Sequence, residues 1–149
     1  MKVVIAGSRR LPPGIAPRAI LHLLLRLPED TLVMLRAPAS GRIGTFEYDI
    51  HNICAILGIA VEWRRPDVER TPGRGAVFSR DIEMIAHADL VLLYMVEEDV
   101  EEGYSGTYHM YEKALDEDRP VYGWVVRDNS MHRWGEHDPA DQFRSLTSD

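Results

Sequence analysis

A chain of 149 residues is long enough to bury a core of its own and short enough to be one domain. Its formal net charge of -7 excludes a general binder of nucleic-acid backbone, which needs a basic footprint, but leaves room for a local basic pocket for one small anion. With 45% apolar and 28% charged residues it has the balance of a soluble globular protein, and no apolar run reaches bilayer length.

The first apolar run, Val3-Val4-Ile5, stops at Gly7-Ser8-Arg9-Arg10 and predicts a buried strand that ends in a small residue, a hydroxyl and two guanidinium groups. Pro12-Pro13-Gly14 reads as a loop, and Pro17 suits the first turn of a helix from Ala16 to Leu27. His22 and Arg26 interrupt that helix's apolar stretch, which is too short for a membrane span. Thr31 to Leu35 predicts a second buried strand, and Thr45 to Leu57 a second helix with Gly58 as its C-cap. Ile59 to Trp63 is a third, shorter strand, followed by a loop from Arg64 to Gly75. A third helix over Ala76–Ala86 leads to a strand over Ala88–Met95 and an acidic loop over Glu97–Glu102. A fourth helix over Thr107–Leu115 and a fifth strand over Arg119–Val126 close the pattern.

Such strand–helix alternation implies an α/β fold with a mainly parallel sheet wound by right-handed crossovers, here with five strands. Residues 1–127 form the predicted domain. Residues 128–149 read as a peripheral tail, anchored by Met131, Trp134 and Phe143, with one short helix from Pro139. Cys54 is the only cysteine, so no intramolecular disulfide forms, which fits a cytoplasmic protein. Its apolar setting reads as packing rather than nucleophile. The start of the chain has no leader pattern, since charge returns at Arg9 after a short apolar run.

Three strand ends carry unusual turns: Gly7-Ser8-Arg9, Ser40-Gly41-Arg42-Ile43-Gly44-Thr45 and Gly103-Tyr104-Ser105-Gly106-Thr107. A parallel sheet brings all three to its carboxyl edge, where ligands of open α/β sheets bind. The second and third each open a helix, so main-chain N–H groups and a positive helix end face that edge. The bland alternative for the first turn is a connection whose arginines point into solvent.

These features together resemble the SLOG superfamily of Rossmann-like proteins, in particular its YspA-like branch, and more distantly the lonely-guy phosphoribohydrolases and the nucleoside deoxyribosyltransferases. The matching stretches are Ile5-Ala6-Gly7-Ser8-Arg9, Ala88-Asp89-Leu90-Val91-Leu92, and Ser105-Gly106-Thr107 with Ala114 and Arg119-Pro120-Val121 behind it. Arg80 resembles the helix arginine ahead of the fourth strand in that group. The resemblance covers roughly residues 2–126. It implies a Rossmann-like three-layer sandwich with a pocket for a nucleotide or a nucleotide-derived small molecule, and pairing into a homo-oligomer.

In that pocket Gly7, Ser8 and Arg9 contact phosphate or sugar, Gly41 and Gly44 permit close approach with Arg42 between them, and Arg80 adds a cation. Ser105, Gly106 and Thr107 hold a second anionic group. Two features differ from the relatives. Arg36-Ala37-Pro38-Ala39-Ser40 stands where YspA-like chains carry His-Gly-Gly, and no glutamate follows Thr107 at the enzymes' spacing. The first carboxylate there is Glu112, displaced by two residues, about 200° of the helical wheel.

Enzyme activity thus stays open, with Glu47 and Glu112 as the candidate acids for cleaving or transferring an N-glycosidic bond of a nucleoside monophosphate. Glu47 and Asp49 also suit a helix N-terminus for electrostatic reasons alone. His109 is a further candidate ligand contact, with a packed or surface histidine as the alternative. A third reading is a non-catalytic interaction protein with a degenerate pocket. The acidic run Glu97–Glu102 reads as a solvated loop, and His132, His137 and Asp138 lack zinc spacing, so neither a metal nor a resident cofactor is expected. Arg64-Arg65 and Arg70 to Arg74 give the third loop a basic balance, as a lid, a self-association surface or an exposed loop offset by Asp67 and Glu69.

Overall fold

The computed structural model describes residues 1–71, 73–103, 105–128 and 130–135. Its strands are β1 (Lys2–Gly7), β2 (Leu32–Arg36), β3 (Ala60–Arg64), β4 (Leu90–Val96), β5 (Val121–Arg127) and β6 (Ser130–Trp134). They form one sheet in the order β3-β2-β1-β4-β5-β6. All pairings are parallel except β5 with β6. The helices are α1 (Ala16–Leu24), α2 (Thr45–Leu57), α3 (Arg74–Ala86), α4 (Glu97–Glu102) and α5 (Gly106–Asp116).

Strand alternation separates two cores. Val3, Ile5, Leu92 and Tyr94 face α1 and α2, where they meet Ile20, Ile50 and Cys54. Val4, Ala6, Val91 and Leu93 face the other way, onto Met84, Ile85 and Met110 of α3 and α5. Being covered on both faces, the central strands need apolar residues at every position, which is why β1 and β4 read as unbroken runs. Tyr94, within β4, is fully buried, its hydroxyl donating to Ala19 O at 3.1 Å and its ring stacked 4.8 Å from Trp124.

The chain leaves β1 toward β2 and β3 on one side, then crosses to β4 on the other. β1 and β4 therefore flank the topological switch point, where a crevice opens beyond the carboxyl ends of the strands.

Several boundaries differ from the sequence reading. The sheet has six strands rather than five: Ser130–Trp134 pairs antiparallel with β5, matching His132 to Val125 and Met131 to Val126. As an edge strand it keeps only Met131 and Trp134 half-buried, so it shows little apolar signal. α1 ends at Leu24, because Arg26 N–H and Leu27 N–H donate three residues back, to Leu23 O and Leu24 O, and tighten the last turn ahead of Pro28. The acidic run is no loop but helix α4. Asp99 is buried, its Oδ2 accepts the Val96 N–H at 2.9 Å, and Gly103 closes the turn at φ 71°. Three acids in its first turn favour the positive helix end. The expected helix from Pro139, together with Phe143, His137 and Asp138, lies outside the described residues, as does Tyr104. No described helix is long and apolar enough to cross a membrane.

Cys54 is buried, and burial raises its thiol from 9.0 to about 11. The unfolded chain therefore releases this proton first, so the stability Cys54 contributes is complete below pH 9 and declines as pH rises to 11. Urea midpoints measured across that window should fall more steeply for the native chain than for Cys54→Ala. Equal slopes would contradict the assignment.

Candidate functional site

The crevice at the switch point is a cleft of about 530 Å³. Gly7, Ser8 and Arg9 reach it from the end of β1, Arg36 and Ala37 from the end of β2, and Ser105, Gly106 and Thr107 from the start of α5. Gly44 and Glu47 at the start of α2, Arg80 of α3, Arg10, and Asp99 of α4 add to its polar lining, while Pro38, Ala39, Pro66, Val68 and Val77 make an apolar wall.

Each turn has a local cause. The Ser8 N–H donates to Tyr94 O at 2.9 Å, and Ser8 Oγ accepts the Arg10 N–H at 3.2 Å. This holds the turn between β1 and α1 against β4. A Cβ at Gly7 would lie 2.6 Å from Phe46 Cγ and 2.8 Å from Leu11 Cδ1. Glycine is required at this position so that α2 can pack on β1, a different reason from the close ligand approach that the sequence suggests. At Gly44 a Cβ would stand 2.8 Å from Glu47 Oε2, so the missing side chain makes room for that carboxylate. Ser105 caps α5, its Oγ accepting the Tyr108 N–H at 3.2 Å. The N–H groups of Gly106 and Thr107, in the first turn, have no intrahelical acceptor.

Arg36 ties these parts together. Its Nη2 donates to Gly7 O at 2.9 Å, to Thr107 Oγ1 at 3.1 Å and to Glu47 Oε1 at 3.4 Å. Its Nη1 stands 3.9 Å from Asp81 Oδ2. Glu47 Oε1 also accepts the Gly7 N–H at 3.2 Å, so both polar groups of Gly7 are bound within this one cluster. The side chains of Arg36 and Glu47 are only 14% and 8% exposed, well below the exposure of a surface pair.

Arg80 is fixed in the same manner. Its Nε donates to Asp81 Oδ1 at 2.9 Å and its Nη1 to Ala37 O at 2.6 Å. Burial lowers its pKa below the usual arginine value, and Asp81 opposes that shift. Arg10 turns toward α4, with Nη2 3.1 Å from Glu102 Oε2 and Nη1 3.5 Å from Asp99 Oδ1; Glu102 raises its pKa. Arg9 is exposed on the cleft and makes no hydrogen bond or ion pair among the described residues. Arg36, Arg80 and Arg10 thus stand beside carboxylates, whereas Arg9 and the α5 amides face the cleft uncompensated.

Nine of the residues singled out in the sequence share this lining: Gly7, Ser8, Arg9, Gly44, Glu47, Arg80, Ser105, Gly106 and Thr107. Gly41 and Arg42 are exposed and stand outside it, where Gly41 serves a turn at φ 87° with open space around it. Glu112 is exposed on α5 and outside the cleft, as the helical wheel implies. Asp49 is half-buried and also outside. His109 stacks edge-on to Phe78 at 5.0 Å instead of lining the cleft. Arg36 and Asp81 are not among the expected site residues; the signal for Arg36 is a charged side chain directly after the apolar run of a central strand.

Comparison with family models, curated proteins and solved structures finds no match.

Replacing Arg36 with Gln leaves the buried Glu47 carboxylate without its cation and should cost about 3 kcal/mol in urea unfolding. The double variant Arg36→Gln/Glu47→Gln should cost less than the two single changes added together. A single-variant cost under about 0.5 kcal/mol, as for an exposed pair, would contradict this account of Arg36.

Proposed function

We propose that the cleft binds a nucleotide or nucleotide-derived small molecule, as a Rossmann-like protein related to the SLOG superfamily. The observation that carries this reading is the convergence of the turn after β1 and the start of α5 on one cleft, with Arg9 and the α5 amides free to meet a phosphate. The volume of about 530 Å³ lies within the usual range for small-molecule sites. The apolar wall of Pro38, Pro66, Val68 and Val77 suits the flat face of a base, opposite the polar end. The same reading includes a cytoplasmic location and pairing of two copies, which fractionation and sedimentation measure.

Thermal unfolding in the presence of nucleotides tests it. At 1 mM ligand, a site with a Kd of ~10 μM gains about 2.7 kcal/mol of stability. Arg9→Ala should lose most of that gain while unfolding normally without ligand, because Arg9 is exposed. No shift with any nucleoside mono-, di- or triphosphate would overturn the reading.

An N-glycosidic hydrolase or transferase is the second reading, and Glu47 is what favours it, being a carboxylate in the cleft lining. It ranks second because Glu47 Oε1 already accepts from Gly7 N–H and Arg36, which commits it to the fold. Binding without turnover is therefore the expected result when nucleoside monophosphates are incubated with the protein. Release of free base that disappears in Glu47→Gln would reverse the order of the two readings.

A further inference from the structure

Beside the main cleft, across Arg80, lies a second hollow of about 320 Å³. Four guanidinium groups line it, from Arg64, Arg65, Arg70 and Arg80, against two carboxylates, Asp67 and Glu83. That balance is opposite in sign to the chain as a whole, at -7. Part of the charge is already engaged. Arg64 pairs with Glu62, and its Nη1 is 4.0 Å from Glu83. Arg65 Nη1 donates to Pro38 O at 2.7 Å, which ties the wall of the hollow to the wall of the main cleft.

Arg65 Nε and Nη2 stay uncommitted among the described residues, and two further guanidinium groups keep capacity. Asp67 holds Arg70 at its backbone N–H, at 3.1 Å, while the Arg70 side chain has no partner among the described residues. Arg80 lines both cavities. Its Nε and Nη1 are bound to Asp81, Ala37 O and Arg64 O, which fixes the plane of the fork and leaves Nη2 uncommitted among the described residues. A fixed guanidinium with one free nitrogen beside a second, free arginine can meet a phosphoryl group with a charge-assisted hydrogen bond from each. The desolvation that lowers the Arg80 pKa is the cost a bound anion would offset.

We propose that this hollow is a second phosphoryl-binding subsite, joined to the main cleft through Arg80. Its own chemistry is independent of the main cleft, but the claim that one ligand reaches both rests on the nucleotide reading above. The phosphoryl group has two sources: a free phosphate, or the far end of a dinucleotide whose near end occupies the main cleft.

The test is a 15N NMR titration of the full chain at constant ionic strength, following backbone amides and arginine Nε–H signals. Inorganic phosphate should move the Arg70 and Arg80 side-chain signals and the Ser79 amide to saturation. Arg70→Gln should weaken that response about tenfold, and Arg70→Lys should restore part of it. Arg70 is exposed and outside the main-cleft lining, so neither variant disturbs the fold or the first site.

AMP should then move Gly106, Thr107 and Arg9. Diadenosine tetraphosphate should move both groups of signals if the ligand's far end fills the hollow, and only the main-cleft group if the hollow takes free phosphate. The proposal is overturned if phosphate leaves the Arg70, Arg80 and Ser79 signals unmoved, or moves them without saturation as sodium chloride does. Failure of the nucleotide reading looks different: Gly106, Thr107 and Arg9 stay unmoved by AMP while the phosphate response of Arg70 and Arg80 persists.

Discussion

The guanidinium of Arg36 is the contact on which the cleft depends. It joins the end of β1 through Gly7 O, the start of α2 through Glu47 and the start of α5 through Thr107, and it stands within ion-pair distance of Asp81 on α3. A cation beside a helix N-terminus opposes the helix dipole. Glu47 and Asp81 offset that opposition, so the cluster holds only as a set. Partly buried ion pairs of this kind contribute more to a single geometry than to net stability, because desolvation consumes much of the Coulombic gain. The return is a cleft floor in which β1, α2 and α5 are fixed relative to one another before any ligand arrives.

Sheet topology explains why the cluster forms at that point. β1 lies between β2 and β4, and the chain changes side there, so no connection covers the crevice between the ends of β1 and β4. Because the strands from β3 to β5 are all parallel, every helix that follows one of them begins at the same edge. Main-chain donors, arginines and hydroxyls thus collect at one edge of a protein whose overall charge is negative. A second basic patch, around Arg64, Arg65 and Arg70, adjoins the same edge and shares Arg80 with it.

Elements defined by local chemistry were legible in the sequence. α2 runs from Thr45 to Leu57 as expected, because Gly58 takes the left-handed conformation that closes a helix, at φ 74°. The buried runs of β1 and β4 also announce themselves. Elements that depend on distant partners did not. α4 has no apolar periodicity; it stands because Asp99 caps Val96 while Arg10 and Arg127 pair with its acids. β6 is an edge strand whose pairing with β5 supplies what its composition lacks. Arg36 reads in sequence as one more basic loop residue, since its partners Gly7, Glu47 and Thr107 lie 29, 11 and 71 residues away. Gly7 was conspicuous, yet its cause is the ring of Phe46, a packing constraint that no local pattern carries.

The claim that the strand-end cleft holds an anionic nucleotide is tested most directly by a crystal structure of the protein grown with AMP. Phosphate density is expected within hydrogen-bond distance of the Gly106 and Thr107 N–H groups and the Arg9 guanidinium, with the base against Val68 and Val77 and the Arg36–Glu47 pair intact. A cleft without nucleotide density at saturating AMP, or AMP bound away from the carboxyl ends of β1 and β4, would contradict it.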